Sequence, residues 1–533
     1  MQLSAFVVLV CVATAAMALT PPLDPYGMVG QPFQKIGQPG PYSQVSTRYV
    51  SNAVSDETGA VNDPRGFNML GVIFGQLIDH DVILSQAGGE GAGDSWPIEV
   101  ATDDPVYGKV NMTKIGFERL GRESTNGITP HVDASSVYGS TQDRLDMIRQ
   151  AGTPYLRTDQ HRLPPVSGHV DMPVEGVPHE NMFFCGDVRC SEHAFLVTLH
   201  TVWIREHNHQ VRRITQESHD EPPTVDEIFE RARLIVSAEL QHVVYDEWLV
   251  ALIGQERVDA IKQAVRHEAD GDKQLADVFA ILFRFHSMVS NETAADLEQF
   301  GLKGLGSAFF LPGVVRKARG NLGPFIRSLY TTLARKNDPM MVPDLRNFLF
   351  AGQPGRGPIG HDLAALNGQR GRDQGVPGYN ALREALGLER KETFEDVVGG
   401  PGPLADAFKT VYASPDECDL WFCAVAEPLV SDSSLGETQT RFVTKEFQEL
   451  YESDIHYWEH SDLLSDADKD YVRARSFSAI LCDNTGVCDV AKDNAFLGTS
   501  DKSASSTGTA ALIAVLAVVG AVLLCAIVGQ FAL

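Results

Sequence analysis

Five short stretches of this chain combine side chains able to move protons or hold a metal. In Phe74-Gly75-Gln76-Leu77-Ile78-Asp79-His80-Asp81, Gln76 and His80 are four residues apart and share a face if the stretch is helical. Asp79, His80 and Asp81 end an otherwise apolar run, where burial demands partners for them. In Cys185-Gly186-Asp187-Val188-Arg189-Cys190-Ser191-Glu192-His193, Arg189 and Glu192 are three apart and can face one site. A His beside an Arg is the pairing that splits a peroxide heterolytically. The imidazole takes a proton from one oxygen and returns it to the other, while the guanidinium stabilises charge developing on the leaving oxygen. Leu282 to Val289 carries a lone His286 in an apolar run, the setting of a proximal iron ligand. In Leu366 to Gly375, Asn367 offers an oxygen able to accept the second N–H of a metal-bound imidazole. Arg370 and Arg372 in the same stretch suit charge-assisted pairs with haem propionates. Thr129-Pro130-His131-Val132-Asp133-Ala134-Ser135 has side-chain oxygens at alternate positions, as a hard-cation loop does. Taken singly, each stretch also fits a bland role: a hydrogen-bonded His, a salt bridge, a locally capped turn.

Helical periodicity dominates the elements that would carry these residues. Asn68 to His80 reads as a buried helix through Met69, Leu70, Val72, Ile73, Leu77 and Ile78, and Glu192 to Val211 as another. Thr224 to Leu252 and Ala276 to Ser290 continue the pattern, and strand-like alternation is scarce. Residues 19–65 are rich in Gly, Pro and Ser and read as an extended arm, and the 352–358 stretch reads as a loop. No linker divides residues 66–497, so the expectation is one large, mostly α domain. The 533 residues carry a net charge of -26, which disfavours nucleic-acid binding and is compatible with calcium.

Both termini are apolar. Residues 1–18 have the apolar run and small-x-small end (Ala16-Met17-Ala18) of a signal peptide. A spacer of small and polar residues at 498–509 precedes an apolar tail at 510–533. That order reads as a GPI-attachment signal, with a retained membrane span as the alternative, and predicts a secreted or cell-surface protein. Six cysteines outside these segments fall into close pairs, Cys185/Cys190, Cys418/Cys423 and Cys482/Cys488. Fifteen connectivities are open to six cysteines, and local pairing is the simplest in an oxidising compartment. Asn111 and Asn291 begin glycosylation sequons.

Taken together and in this order, the motifs resemble the animal haem peroxidases, the peroxidase–cyclooxygenase superfamily that includes myeloperoxidase-like and peroxinectin-like members. The resemblance runs from about residue 25 to 495. It includes Gly75 to Asp81, Val132 to Ser140, Leu199-His200-Thr201 with Arg205-Glu206-His207-Asn208, Gln369 to Asp373, and Cys482 to Gly486. It implies a haem b cofactor and calcium. His80 would be the distal acid–base residue, Arg189 its partner, and Gln76 a holder of distal water or halide. His286 would ligate iron, with Asn367 accepting its second N–H. Asp79 and Glu192 would be esterified to the haem, and Arg370 would meet a propionate. Asp81, Thr129, Asp133 and Ser135, with the carbonyl of His131, would bind calcium. Hydrogen peroxide would be reduced at the expense of a small anionic or phenolic donor.

Four positions depart from the family pattern. His193 stands where myeloperoxidase has the Met bonded to haem, which removes the sulfonium link and favours bromide, iodide or thiocyanate over chloride. Arg284 precedes His286 by two residues, one fewer than usual. That spacing is the one found in the fatty-acid dioxygenase and cyclooxygenase branch, but Phe283 stands where that branch has its radical-forming Tyr. Gln374 replaces a His. A fatty-acid dioxygenase and a peroxinectin-like adhesion or matrix protein are therefore the alternatives to a peroxidase, and no Arg-Gly-Asp tripeptide supports the latter.

Overall fold

Apolar runs broken by polar caps lay out a helical molecule, seen in a computed structural model that describes residues 21–57, 59–166, 182–217, 223–264, 273–309, 313–349, 360–490 and 493–498. The signal peptide, the 352–358 loop and the C-terminal spacer and tail beyond Gly498 lie outside the described residues. Residues up to Leu497 form one compact unit.

The first helix, α1 (Thr47–Val54), lies within the segment read as an extended arm, and corrects that reading. Eight residues suffice because Thr47, Val50, Ser51 and Val54 all turn inward. Arg48 is buried beside them, paired with Asp104 at 2.8 Å and Asp362 at 2.6 Å. Gly and Pro averaged over the whole arm conceal so short an amphipathic stretch.

Helix α2 (Met69–Val82) starts where the Asn68 side chain accepts from the Gly71 N–H at 3.0 Å. It is apolar on nearly every face and buried accordingly. Phe74 packs against Phe477 and Phe496 with ring centroids 5.0 and 4.9 Å apart. Trp248 donates its indole N–H to the Gly71 carbonyl at 2.8 Å. A Cβ on Gly75 would lie 3.0 Å from that indole, so glycine lets the ring close over the helix. Strands are minimal: β1 (Ser85–Gln86) pairs antiparallel with β4 (Thr125–Asn126), and β2 (Ile98–Glu99) with β3 (Lys114–Ile115).

Helix α3 (Ala194–Glu217) runs through the core with buried residues on all sides. It packs along α4 (Val225–Val243), whose start is fixed by a capping box between Thr224 and Glu227. The chain continues from α4 through a π turn, Val244–Trp248, into a further turn, Leu249–Ile253. Periodicity predicts one helix over Ala276 to Ser290, but α5 (Phe279–Leu282) is a single turn, followed by a 3-10 turn at His286–Met288. Side chains from two helices later in the chain claim its carbonyls. Gln439 donates to Leu282 O at 3.0 Å and Trp421 to Arg284 O at 3.1 Å. His286 therefore stands on a bent, side-chain-braced segment. Helix α6 (Leu363–Gln374) opens on an Asp362 cap and closes at a left-handed Gly375. Helices α7 (Leu420–Ala426), α8 (Glu437–Ser453) and α9 (Phe477–Thr485) complete the packing around it and α3. Among the described residues no helix is long and apolar enough to cross a membrane. Asn111 is exposed at a left-handed turn, whereas Asn291 is half-buried and bonded to Asp344.

Candidate active site

A cavity of about 400 Å³ opens between the last turns of α2 and the α5–His286 segment. One wall carries Gln76, Asp79, His80, Arg189 and Glu192; the other carries Phe283, Arg284, His286 and Arg370. Val72, Ile73, Val289, Leu305, Phe309 and Leu345 supply apolar surface between them. Residues from four of the five sequence stretches thus converge on one space, of the size that small-molecule and cofactor pockets occupy.

His80 is 4% exposed, and its Nδ1 lies 3.4 Å from Asp187 Oδ1. Its Nε2 lies 4.0 Å from Glu192 Oε2. Burial, reinforced by the Arg189 charge, holds the imidazole neutral well below its ordinary pKa. Asp187 also receives Arg189 Nε at 3.0 Å and Arg189 Nη2 at 2.9 Å. Burial alone would raise its pKa, but Arg189 and His80 hold it well below the carboxylate range. Arg189 is further tied to the Ile83 carbonyl at 2.9 Å, at the end of the helix that bears His80. Asp187 is the residue that sequence reasoning passed over. Its signal was its place two before Arg189 inside a Cys185–Cys190 loop.

That loop is closed by the disulfide Cys185–Cys190. Gly186 lets it press on a neighbouring segment, since a Cβ there would lie 2.4 Å from the Val137 backbone. Arg144 holds the Cys185 carbonyl at 2.7 Å and Asp187 N–H donates to Ser136 O at 3.1 Å. The other pairs, Cys418–Cys423 and Cys482–Cys488, are likewise local.

Asp79 and Glu192 border the cavity, each with 27% of its side chain exposed. Deep placement pushes their carboxyl pKa values up to about 6 and about 7. Glu192 accepts from Gln76 Nε2 at 2.7 Å, and Gln76 Oε1 faces His193 Nε2 at 2.7 Å.

On the opposite wall, burial and then Arg284 push the His286 pKa down to about 3, leaving a neutral ring. Asn367 meets it, 3.1 Å from Nδ1, but with its amide nitrogen. Its oxygen is taken by Arg284 Nη1 at 3.0 Å. Because a guanidinium only donates, Arg284 decides which way the amide faces, and accepting from His286 requires the amide to turn over. Arg370 borders the cavity and pairs with Asp373 at 2.7 Å. Arg372 does not: it forks onto Asp419 at 2.8 and 2.7 Å, away from this space. Gln374 is buried and donates to Ser124 at 3.1 Å.

Below the distal helix, Asp81 accepts from the backbone N–H groups of Asp133 (3.1 Å), Ala134 (3.2 Å) and Ser136 (2.8 Å). Ser135 Oγ donates to Asp81 O at 2.6 Å. Thr129 is buried in the same loop, close to Ser140, and His131 is buried with it. Burial and then the neighbouring Asp81 push the Asp133 carboxyl well above its ordinary pKa. Asp81, Thr129, Asp133 and Ser135 all carry side-chain oxygen, the donor type that hard cations prefer.

The family model for animal haem peroxidases matches residues 29–496. The chain belongs to the animal haem peroxidase family. Lactoperoxidase from Mesocricetus auratus is 31% identical over 83% of this chain and 68% of its own length. Human lactoperoxidase is 30% identical over 84% and 69%. Among solved structures, peroxidase A from Dictyostelium discoideum has a TM-score of 0.77 at 23% identity, covering 90% of this chain and 99% of that one. Fatty acid alpha-dioxygenase from Oryza sativa shares the fold at a TM-score of 0.73 and 17% identity, covering 91% and 88%. The protein is thus an oxidoreductase of the peroxidase class, and its family implies haem and iron.

Proposed function

We propose that the protein reduces hydrogen peroxide at a haem held between His80 and His286, and oxidises a small anion (bromide, iodide or thiocyanate) or a phenol. What supports this is the placement of His80, Arg189 and His286 on opposite walls of one cavity. When bound, haem supplies an iron that coordinates the peroxide and takes up its oxidising equivalents. The Asp187 carboxylate beside His80 Nδ1 favours the proton there, leaving Nε2 unprotonated toward the cavity. His80 then takes the proton of the incoming peroxide at Nε2 and delivers it to the departing oxygen. Arg189, already oriented by Asp187 and the Ile83 carbonyl, stabilises the negative charge on that oxygen. With the Asn367 amide turned so that its oxygen accepts from Nδ1–H, His286 would present a neutral imidazole to iron, and Arg284 and Arg370 border the space where propionates would be paired. Asp79 and Glu192, which border the space on the other wall, would supply the carboxylates for ester attachment.

We read the loop of Asp81, Thr129, His131, Asp133 and Ser135 as a calcium site, and the three disulfides as marks of a secretory-pathway protein held at the cell surface by its C-terminal tail. Phospholipase release from intact cells separates a GPI anchor from a retained span. A fatty-acid dioxygenase reading lacks its oxidant: Phe283 stacks on Phe279 at 4.6 Å in the cavity wall and has no phenol to become a radical. The test is a purified soluble form assayed across halides, thiocyanate, phenols, and a fatty acid with oxygen. Peroxide-dependent turnover of an anion or phenol is expected; oxygen uptake with the fatty acid and no peroxide turnover would refute the proposal.

A further inference from the structure

Glu192, Gln76 and His193 form a hydrogen-bonded chain along the distal wall, and its direction is set from one end. The backbone N–H of Leu196 donates to His193 Nδ1 at 3.1 Å. A neutral imidazole that accepts at one ring nitrogen carries its proton on the other. Burial keeps this ring neutral, with its pKa pushed down to about 3. The ring is also fixed sterically, 4% exposed and edge-on to Phe309 with centroids 5.6 Å apart. Its Nε2–H is therefore the donor to Gln76 Oε1 at 2.7 Å. That leaves Gln76 Nε2 to face Glu192, to which it donates at 2.7 Å. Nε2 has two hydrogens and Glu192 takes one.

The two ends of a carboxamide are nearly the same size, so shape alone does not choose between them. Glu192 would choose the same orientation only while it is ionised or esterified. As a free acid its pKa is pushed up to about 7 by burial, so near neutrality and before any ester forms it is protonated part of the time. His193 donates in either case.

We infer that His193 is the positioning residue that locks the Gln76 carboxamide with its N–H groups toward Glu192 and the cavity, so that the distal wall presents a donor to a small inorganic anion beside His80. The inference deepens the peroxidase reading and rests on it. It gives His193 a role in anion selection that an apolar or thioether side chain at that position does not supply.

The experiment titrates haem-loaded ferric enzyme with thiocyanate, read as a Soret shift, for wild type, His193→Leu, His193→Gln, Gln76→Ala and the Gln76→Ala/His193→Leu double variant. Loss of the fixed donor in His193→Leu is expected to raise the thiocyanate Kd about tenfold, the scale of one directed hydrogen bond. His193→Gln, whose amide can also donate, restores it to within about twofold. In the Gln76→Ala background, His193→Leu has no further effect. The ferric Soret maximum and haem content of the same samples before titration report the integrity of the haem pocket and stay unchanged. Wild-type thiocyanate affinity in His193→Leu would overturn the inference, as would equal weakening with and without Gln76, or no recovery in His193→Gln. Failure of the wild type to bind haem would instead overturn the peroxidase reading, and this inference with it.

Discussion

His80 and Arg189 share one anchor, the Asp187 carboxylate, and that sharing makes specific demands. Asp187→Asn keeps the shape but removes the charge that favours a proton on His80 Nδ1. The reaction with peroxide should slow by about 10²-fold while the haem spectrum is retained, read by stopped-flow absorbance. An unchanged rate would remove Asp187 from the account. The opposite wall carries a second residue-scale demand. Arg284 holds Asn367 Oδ1 at 3.0 Å and so competes for it with the Nδ1–H that iron ligation at Nε2 requires. Arg284→Met frees it to accept the imidazole N–H, which makes the ligand more basic and should lower the ferric/ferrous potential. Spectroelectrochemistry that finds the potential unchanged or raised would contradict this.

At the scale of elements, the distal helix, the Asp133 loop and the Cys185–Cys190 loop are interlocked. Asp81 takes N–H groups from the second, and Ser136 binds both Asp81 and Asp187. On the calcium reading, treatment with a chelator should therefore cost peroxide reactivity as well as stability, and adding calcium should restore both. Chelation that leaves the Tm and the peroxide rate unchanged would exclude a cation in this loop. The π turn after α4 carries a different signal. Glu247 accepts from the Phe477 N–H at 2.7 Å and burial pushes its pKa up to about 7, above its ordinary 4.5. The folded state then holds more protons than the unfolded one between those values, so this group lowers stability as pH rises through that window. Glu247→Gln should flatten the fall in Tm from pH 5 to pH 7; an identical slope in the variant would refute the assignment.

These elements also show what the sequence made legible. The helix bearing His80 was readable because its apolar residues recur at helical spacing and Asn68 caps it. The local disulfides were readable from cysteine proximity. The bend before His286 was not, because Gln439 and Trp421, more than 130 residues later in the chain, take the carbonyls that would have continued the helix. Nor was the reversed face of Asn367, which Arg284 sets from another element. Helix α1 was lost in the composition of its surroundings. Local periodicity carries elements; long-range hydrogen bonds decide where they stop and which way their polar groups point.

For the whole molecule, fold and chemistry must be kept apart. The same architecture is shared with a peroxidase and with a fatty acid dioxygenase, so the site chooses between them. On the proposed reading, Phe283 leaves no phenol at the radical position, and Asp187, His80 and Arg189 would supply the peroxide-cleaving set. The net charge of -26 adds a prediction at this scale. Anionic donors approach a like-charged surface, so their kcat/KM should rise with inert salt as the repulsion is screened, while that of a neutral phenol stays level. A fall for the anion would show that the cavity arginines govern its approach instead. The central claim is that His80 is the proton-transfer group of a peroxide-reducing haem site. Stopped-flow mixing of hydrogen peroxide with haem-loaded wild type and His80→Ala tests it most directly. A loss of about 10²–10⁴-fold in the second-order rate, with the ferric Soret band intact, is the predicted result. A His80→Ala enzyme that reacts at the wild-type rate would contradict it.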